Sequence, residues 1–339
     1  MVTIKDVAAR ANVSVSTVSI VINGKASERK ISEATVNKVM NAIAQLNYQP
    51  NIAARKLRTF DNNRPNIAIY LAYDHRSSML SHFVEAIYKE QVSGAYDFSI
   101  TICPYKSGAL CDESTLTSTT SFNAAIITTT SPSDMKYLDK NRPLFPVVLL
   151  NRSIEGLSSI CADIQQSINE LAELLRRRNH KEVAAILMGD AYMANKYRSQ
   201  TFLSACKKRN ISFSDEHVIL TEDSMAGGAR AAKKLLELPS TPRALFCDTD
   251  SIALGAIHIF NRAGIRIPDD LEIISICLTS PDYTEYSTPS VTVIDISLER
   301  CMVDCLKLTL DLLAHKYTEP VQRVYSAPIL YRESCPALV

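Results

Sequence analysis

From residue 64 onward the chain alternates short apolar runs with longer amphipathic stretches, and few folds accept that pattern. Runs rich in β-branched residues stand at 66–73 (NIAIYLAY), 98–103 (FSITIC), 124–128 (AAIIT), 147–150 (VVLL), 183–188 (VAAILM), 244–247 (ALFC) and 272–276 (EIISI). Helical periodicity occupies much of the space between and after them, at 79–93, 164–178, 197–209, 226–237, 251–263 and 298–315. Unbroken apolar strands must be buried on both faces, so this alternation implies parallel sheets with helices on either side. Roughly ten strands split most simply into two doubly wound lobes. Ligands of such sheets collect beyond the carboxyl ends of the strands, and with two lobes they occupy the cleft.

The first sixty residues break the pattern. They hold nine Lys/Arg and three acids, a net of +6, whereas the other 279 residues hold 28 bases and 33 acids, a net of −5. A basic head on a neutral-to-acidic body points to a polyanion as the partner of the head. Three short helices are expected there. Thr3 and Asp6 form a Thr-x-x-acid start signal for the run Ile4 to Ala11, and a tight break follows at Asn12-Val13. Ser14 can cap a second helix through Ile22, which Asn23-Gly24 closes. Ser32 can cap a third, in which Val36, Val39, Met40, Ile43 and Leu46 recur at helical spacing. Val7, Ala8, Val13, Val18 and Val21 then bury against the third helix, giving a helix-turn-helix whose second helix faces a DNA major groove. Its small side chains allow deep entry. Ser16 can bond base edges, and Val15 and Ile20 can touch thymine methyls. Ser14, Thr17 and Ser19 suit phosphate contacts, and Thr3 and Asn23 complete the DNA-contacting set at the ends of the motif.

Other classes fit poorly. No stretch reaches the roughly 20 apolar residues of a membrane span. The start, MVTIKDVAARA, carries charge where a secretion signal carries its apolar core, so a cytoplasmic protein without a membrane role is expected. Nine cysteines without a C-x-x-C pair read as reduced thiols, and Cys301 and Cys305, four apart on a helix, lack the partners of a metal site. Phosphate-loop, dinucleotide-fold, nucleophile-elbow and zinc-protease motifs are absent from the sequence, so neither an enzyme nor a bound cofactor is expected.

The connector makes the pattern specific. T-I-K-D-V-A-x-x-A-x-V-S-x-x-T-V-S together with L-N-Y-x-P-N-x-x-A-x-x-L (46–57) resembles the lactose-repressor/galactose-repressor family of bacterial transcription regulators. The likeness continues through N-R-S-I-E-G (151–156), Y-R-S-Q-T-F (197–202), D-T-D-S-I-A-L-G-A (248–256), G-I-R-I-P-D-D-L-E-I-I-S (264–275) and Y-R-E-S (331–334). It implies an all-α helix-turn-helix head (1–48), a hinge helix and linker (49–63), and an α/β two-lobed periplasmic-binding-protein-like core (64–339). By the same likeness one lobe is 64–161 plus 292–322, and the other 162–291 plus 323–339. The hinge helix would be Asn51 to Leu57, with Ala54 allowing close approach and Leu57 wedged between base steps of the minor groove. Seven residues are too few for a stable helix in water, where about 12–15 is already marginal, so the hinge should order only when two copies pair on DNA. The chain departs from the family at Ile20, where an arginine that reads guanine is usual.

The resemblance further implies a repressor acting as a dimer on a palindromic operator, under control of a small molecule, a sugar or sugar derivative. The C-terminal heptad segment that makes some members tetramers is not found after Ser334. For the effector, the likeness assigns Arg198 as a ligand-holding arginine and Asp250 as the second residue of an Asn-Asp pair whose first is Thr249 here. Cys277 stands where a hydroxyl-binding aspartate is usual, Asn151 where Asp is frequent, and Asp223 where an aromatic often covers the ligand. Tyr73 and Tyr192, with Tyr70 and Tyr197, are the candidate stacking faces. The alternatives are a core that answers to a protein partner or has lost its small ligand, and a solute receptor without DNA function.

Overall fold

The computed structural model describes all residues except 1–2, 23, 27, 47, 49–63, 73–76, 95–96, 118–120, 190–192 and 339. The head contains α1 (Ile4–Ala11), α2 (Val15–Ile22) and α3 (Glu33–Leu46). Helices this short are marginal alone and are held by a shared core, in which Val7, Ala8, Val18, Val21, Val39 and Ile43 are buried. Met40, expected on the inner face of α3, is instead 39% exposed, and Ala42 takes the buried position. One turn of helix carries three to four residues, so the inner stripe drifts away from 40 once 39, 42 and 43 are inside.

The starts of all three helices and the ends of α1 and α2 have local causes. The Thr3 N–H and hydroxyl both donate to Asp6, at 2.7 Å, and these bonds hold the Asp6 carboxyl below the usual range. Asn12 ends α1 in the left-handed region (φ 52°), where its N–H reaches the Ala8 and Ala9 carbonyls. Ser14 Oγ accepts from Thr17 N at 3.0 Å, and Ser32 Oγ accepts from Thr35 N at 3.3 Å, so both predicted serine caps are formed. After α2 the chain turns through Gly24 at φ +68°.

The chain divides into two compact units. The first is Met1–His75, Val84–Ile160 and Met302–Arg323; the second is Arg76–Phe83, Cys161–Cys301 and Val324–Val339. The first sheet is built from β1 (Asn66–Ala72), β2 (Ser99–Tyr105), β3 (Ala124–Ile127), β4 (Val147–Leu150), β5 (Ser158–Asp163) and β11 (Gln322–Ser326). Its order is β11-β5-β4-β3-β1-β2. Helix α4 (Ser77–Val92) connects β1 to β2, and α5 (Pro132–Lys140) follows β3. The second sheet is built from β6 (Ala184–Met188), β7 (Val218–Thr221), β8 (Ala244–Cys247), β9 (Glu272–Cys277), β10 (Thr292–Asp295) and β12 (Ile329–Leu330), in the order β12-β10-β9-β8-β6-β7. Its helices are α6 (Gln165–Arg177), α7 (Met193–Lys207), α8 (Met225–Leu236), α9 (Asp250–Arg262) and the short α10 (Pro281–Glu285). The chain returns to the first unit along α11 (Leu298–Leu313). Apart from β12, which runs antiparallel to β10, the described pairings are parallel.

Strands β3, β4 and β8 are buried at every position, as expected for strands covered on both faces. In each unit the strand order reverses beside the first strand, between β1 and β3 and between β6 and β8, which are the switch points where ligands gather in such folds. Two stretches expected in the first lobe fall in the second unit, and one of them is Arg76–Phe83. The other is 292–301, which belongs to the second unit because β10 pairs with β9.

A buried histidine pins the amino end of the second sheet. His217 Nε2–H donates to the Ser240 carbonyl (2.9 Å), while Nδ1 lies 2.8 Å from the Glu182 carboxylate. Burial opposes its charge, but the Glu182 and Ser240 bonds and the Glu182 and Glu216 charges outweigh it and raise His217 above the ordinary imidazole value. The sign follows: a raised folded value contributes stability that is complete below the unfolded value near 6.5 and is lost as pH rises through the folded value. Melting temperature of the wild type is therefore expected to exceed that of His217→Gln at pH 5.5 by more than at pH 8.5, and a constant difference would refute the charged pin.

Candidate DNA-reading helix and ligand face

Helix α2 buries Val18, Val21 and Ile22 in the head core, which leaves Val15 (41% exposed) and Ser16 on its free face. Ile20 and Ser19 are half-buried, so Ile20 offers only part of its side chain. Two hydroxyls expected to face phosphate have internal partners, Ser14 Oγ and Thr17 Oγ1 being 2.8 Å apart. The Thr3 hydroxyl is likewise bonded to Asp6. These groups shape the helix ends first and can meet phosphate only through what bonding capacity is left. Asn23 and the hinge residues Asn51, Ala54 and Leu57 lie outside the described residues.

In the second unit the predicted ligand residues converge at the carboxyl ends of β6, β8 and β9. Asp248, directly after β8, accepts from Met188 N (2.9 Å) and from Ser199 Oγ (2.7 Å). Ser199 thereby fixes α7 at the switch point, and its neighbour Arg198 is 7% exposed. Thr249 caps α9 by accepting from Ile252 N (3.3 Å) and donates its hydroxyl to Asp223 at 2.6 Å. Asp250 Oδ2 accepts from Thr279 N (3.0 Å), the Thr279 hydroxyl and the Cys277 thiol (3.6 Å). Burial pushes Asp250 above the usual carboxylate range, against the pull of the Thr279 bonds. Burial also pushes the Cys277 thiol far up, so the S–H remains protonated and donates.

Thr249, Asp250 and Cys277 are thus brought together, but as a buried cluster bonded to itself, with Asp223 at its edge. Thr279 belongs to the Asp250 cluster, and Asp248 with Ser199 forms a separate bonded pair beside it; no motif in the sequence assigns these three residues a role. An acid directly after the apolar run ALFC was the available signal for Asp248. Asn151 lies in the first unit after β4, in the left-handed region (φ 53°), with its N–H on the Ile160 carbonyl at 2.8 Å. Tyr70 is a core residue, fully buried with its hydroxyl 2.7 Å from Thr115 Oγ1, and offers no stacking face. Tyr197 is 55% exposed. Tyr73 and Tyr192 lie outside the described residues.

Residues 3–51 match the family "Bacterial regulatory proteins, lacI family", and residues 172–335 match "Periplasmic binding protein-like domain". The chain is 27% identical to the probable HTH-type transcriptional repressor ExuR of Bacillus subtilis, over 98% of each chain. A LacI family transcription regulator from Clostridium acetobutylicum is 36% identical, with 79% of this chain and all of that one superposed at a TM-score of 0.75. The fold is also that of the lac repressor dimer bound to operator and the anti-inducer ONPF, at 19% identity, 99% coverage of both chains and a TM-score of 0.68. Among the described residues no helix is long and apolar enough to cross a membrane. With its helix-turn-helix head and two parallel-sheet units, this chain belongs to the LacI family and is a DNA-binding transcription regulator.

Proposed function

We propose that the protein is a repressor that binds a two-fold operator as a dimer and is switched by a small molecule at the carboxyl ends of the second sheet. The observation that carries the reading is a core-anchored α2 with Val15 and Ser16 on its free face, in a head whose net charge is positive. In this reading Ser16, Val15 and Ile20 meet base edges. Dimerisation uses α4. Val84, Tyr88 and Val92 recur every four residues on one side of α4 and are 56, 66 and 67% exposed. An apolar stripe of that kind on a surface helix marks a protein contact.

Isoleucine cannot make the bidentate bonds by which arginine selects guanine. Ile20→Arg is therefore expected to shift operator preference toward a G·C pair at one position in each half-site. Site selection from random duplexes with both proteins checks this, and identical operators would refute it.

For the ligand, Arg198 is the residue of choice, since a guanidinium can fork two bonds to hydroxyls or a carboxylate. Calorimetry of the full chain against sugars, sugar acids and sugar phosphates should give heat that disappears in Arg198→Ala. A second reading, in which the core answers to a protein, is favoured by one observation: Thr249, Asp250 and Cys277 spend their polar groups on neighbours. Silence across the panel would move the account to that reading.

A further inference from the structure

Seven bases fall in two short runs of the second unit, RRRNHK (176–181) and KKRN (207–210). The first run ends α6 and leads into β6; the second ends α7. They are stitched side by side. Glu173 accepts from Arg176 (2.6 Å) and from Arg209 (3.2 Å), and Ser212 donates its N–H (2.9 Å) and hydroxyl (3.1 Å) to the Lys181 carbonyl. Arg178 is occupied by Glu272 at 2.5 Å. Arg177, Lys181, Lys207 and Lys208 remain exposed, and none pairs with an acid among the described residues. Helix dipoles favour cations in the last turn of α6 and α7, but the effect fades within that turn and does not call for Lys181, four residues beyond α6.

We propose that this amino-terminal end of the second sheet docks an acidic protein segment, with Arg177, Lys181, Lys207 and Lys208 as its contacts. The surface is poorly suited to nucleic acid. Both helices point their carbonyl ends at it, opposite in sign to the amide ends that hold phosphates. No exposed aromatic lies within 170–182 or 204–216 to stack a base, and the exposed Asp215 and Glu216 just before β7 interrupt the positive field. Four exposed cations beside two exposed acids fit a partner with patterned charge, where such rim contacts set encounter rate and specificity.

The test uses the full chain with excess duplex DNA present to occupy the head, and a fluorescein-labelled poly-L-glutamate peptide read by anisotropy at low salt. Replacing Arg177, Lys207 and Lys208 together by glutamate should weaken the peptide about tenfold or more. A matched triple replacement on the first unit (Lys106→Glu, Lys136→Glu, Lys140→Glu) changes net charge equally and should leave most of the affinity. Equal losses in the two triples would show only total charge at work and overturn the proposal. So would a loss of non-operator duplex binding in the Arg177/Lys207/Lys208 variant, measured separately, which would make nucleic acid the occupant.

Discussion

Gly255→Ala is expected to destabilise the second unit by about 3 kcal/mol, against the direction helix propensity predicts. Alanine in a helix interior is normally better than glycine by up to about 1 kcal/mol. Here α8 and α9 cross so closely that a Cβ on Gly255 would stand 1.9 Å from the Met225 carbonyl oxygen. The contact is reciprocal, because a Cβ on Gly228 would stand 2.0 Å from the Ile252 carbonyl oxygen. Both obstacles are backbone, so relief needs a helix to move, and α9 begins in the Asp250 cluster. The loss should therefore reach the carboxyl ends of β8 and β9 as well as the unfolding midpoint. Gly189→Ala, with nothing within 4 Å of the added carbon, is the control. Urea midpoints that move equally in the two variants would refute the close crossing.

The second large effect is on assembly. Val84→Glu with Tyr88→Glu places two carboxylates in the apolar stripe of α4, which is solvent-exposed in the single chain, so folding should survive while pairing fails. One head reads one half-site, and losing the second head removes an avidity gain of about 10²–10⁴. Sedimentation should show a monomer, affinity for a two-fold operator should fall by about that factor, and far-UV dichroism should stay unchanged. A variant that remains a dimer would move the interface away from α4.

The parts legible in sequence were those with a local cause. Strands covered on both faces, such as AAII, VVLL and ALFC, announce themselves as continuous apolar runs. The serine caps at 14 and 32 were equally plain, being fixed by one side chain and one nearby N–H. Strands β5, β7, β10, β11 and β12 were not singled out. SSICAD and QRVYS mix polar and apolar residues because part of their surface faces solvent, and β12 has only two residues. The switch of units at 301 rather than 292 depends on the pairing of β10 with β9, a contact no local pattern encodes. The ligand face was half legible. Motif positions located Thr249, Asp250 and Cys277, but their bonds to Asp223 and Thr279 join residues 26 to 29 positions apart. Only the folded sheet shows that those polar groups serve each other.

The central claim is that paired heads grip DNA with two-fold symmetry. Selection of binding sites from random duplexes by the purified full chain, repeated across salt concentrations, tests it most directly. The account predicts an inverted pair of half-sites whose affinity falls steeply with salt as counterions are released. Recovery of unrelated or single half-sites, or an affinity indifferent to salt, would contradict it.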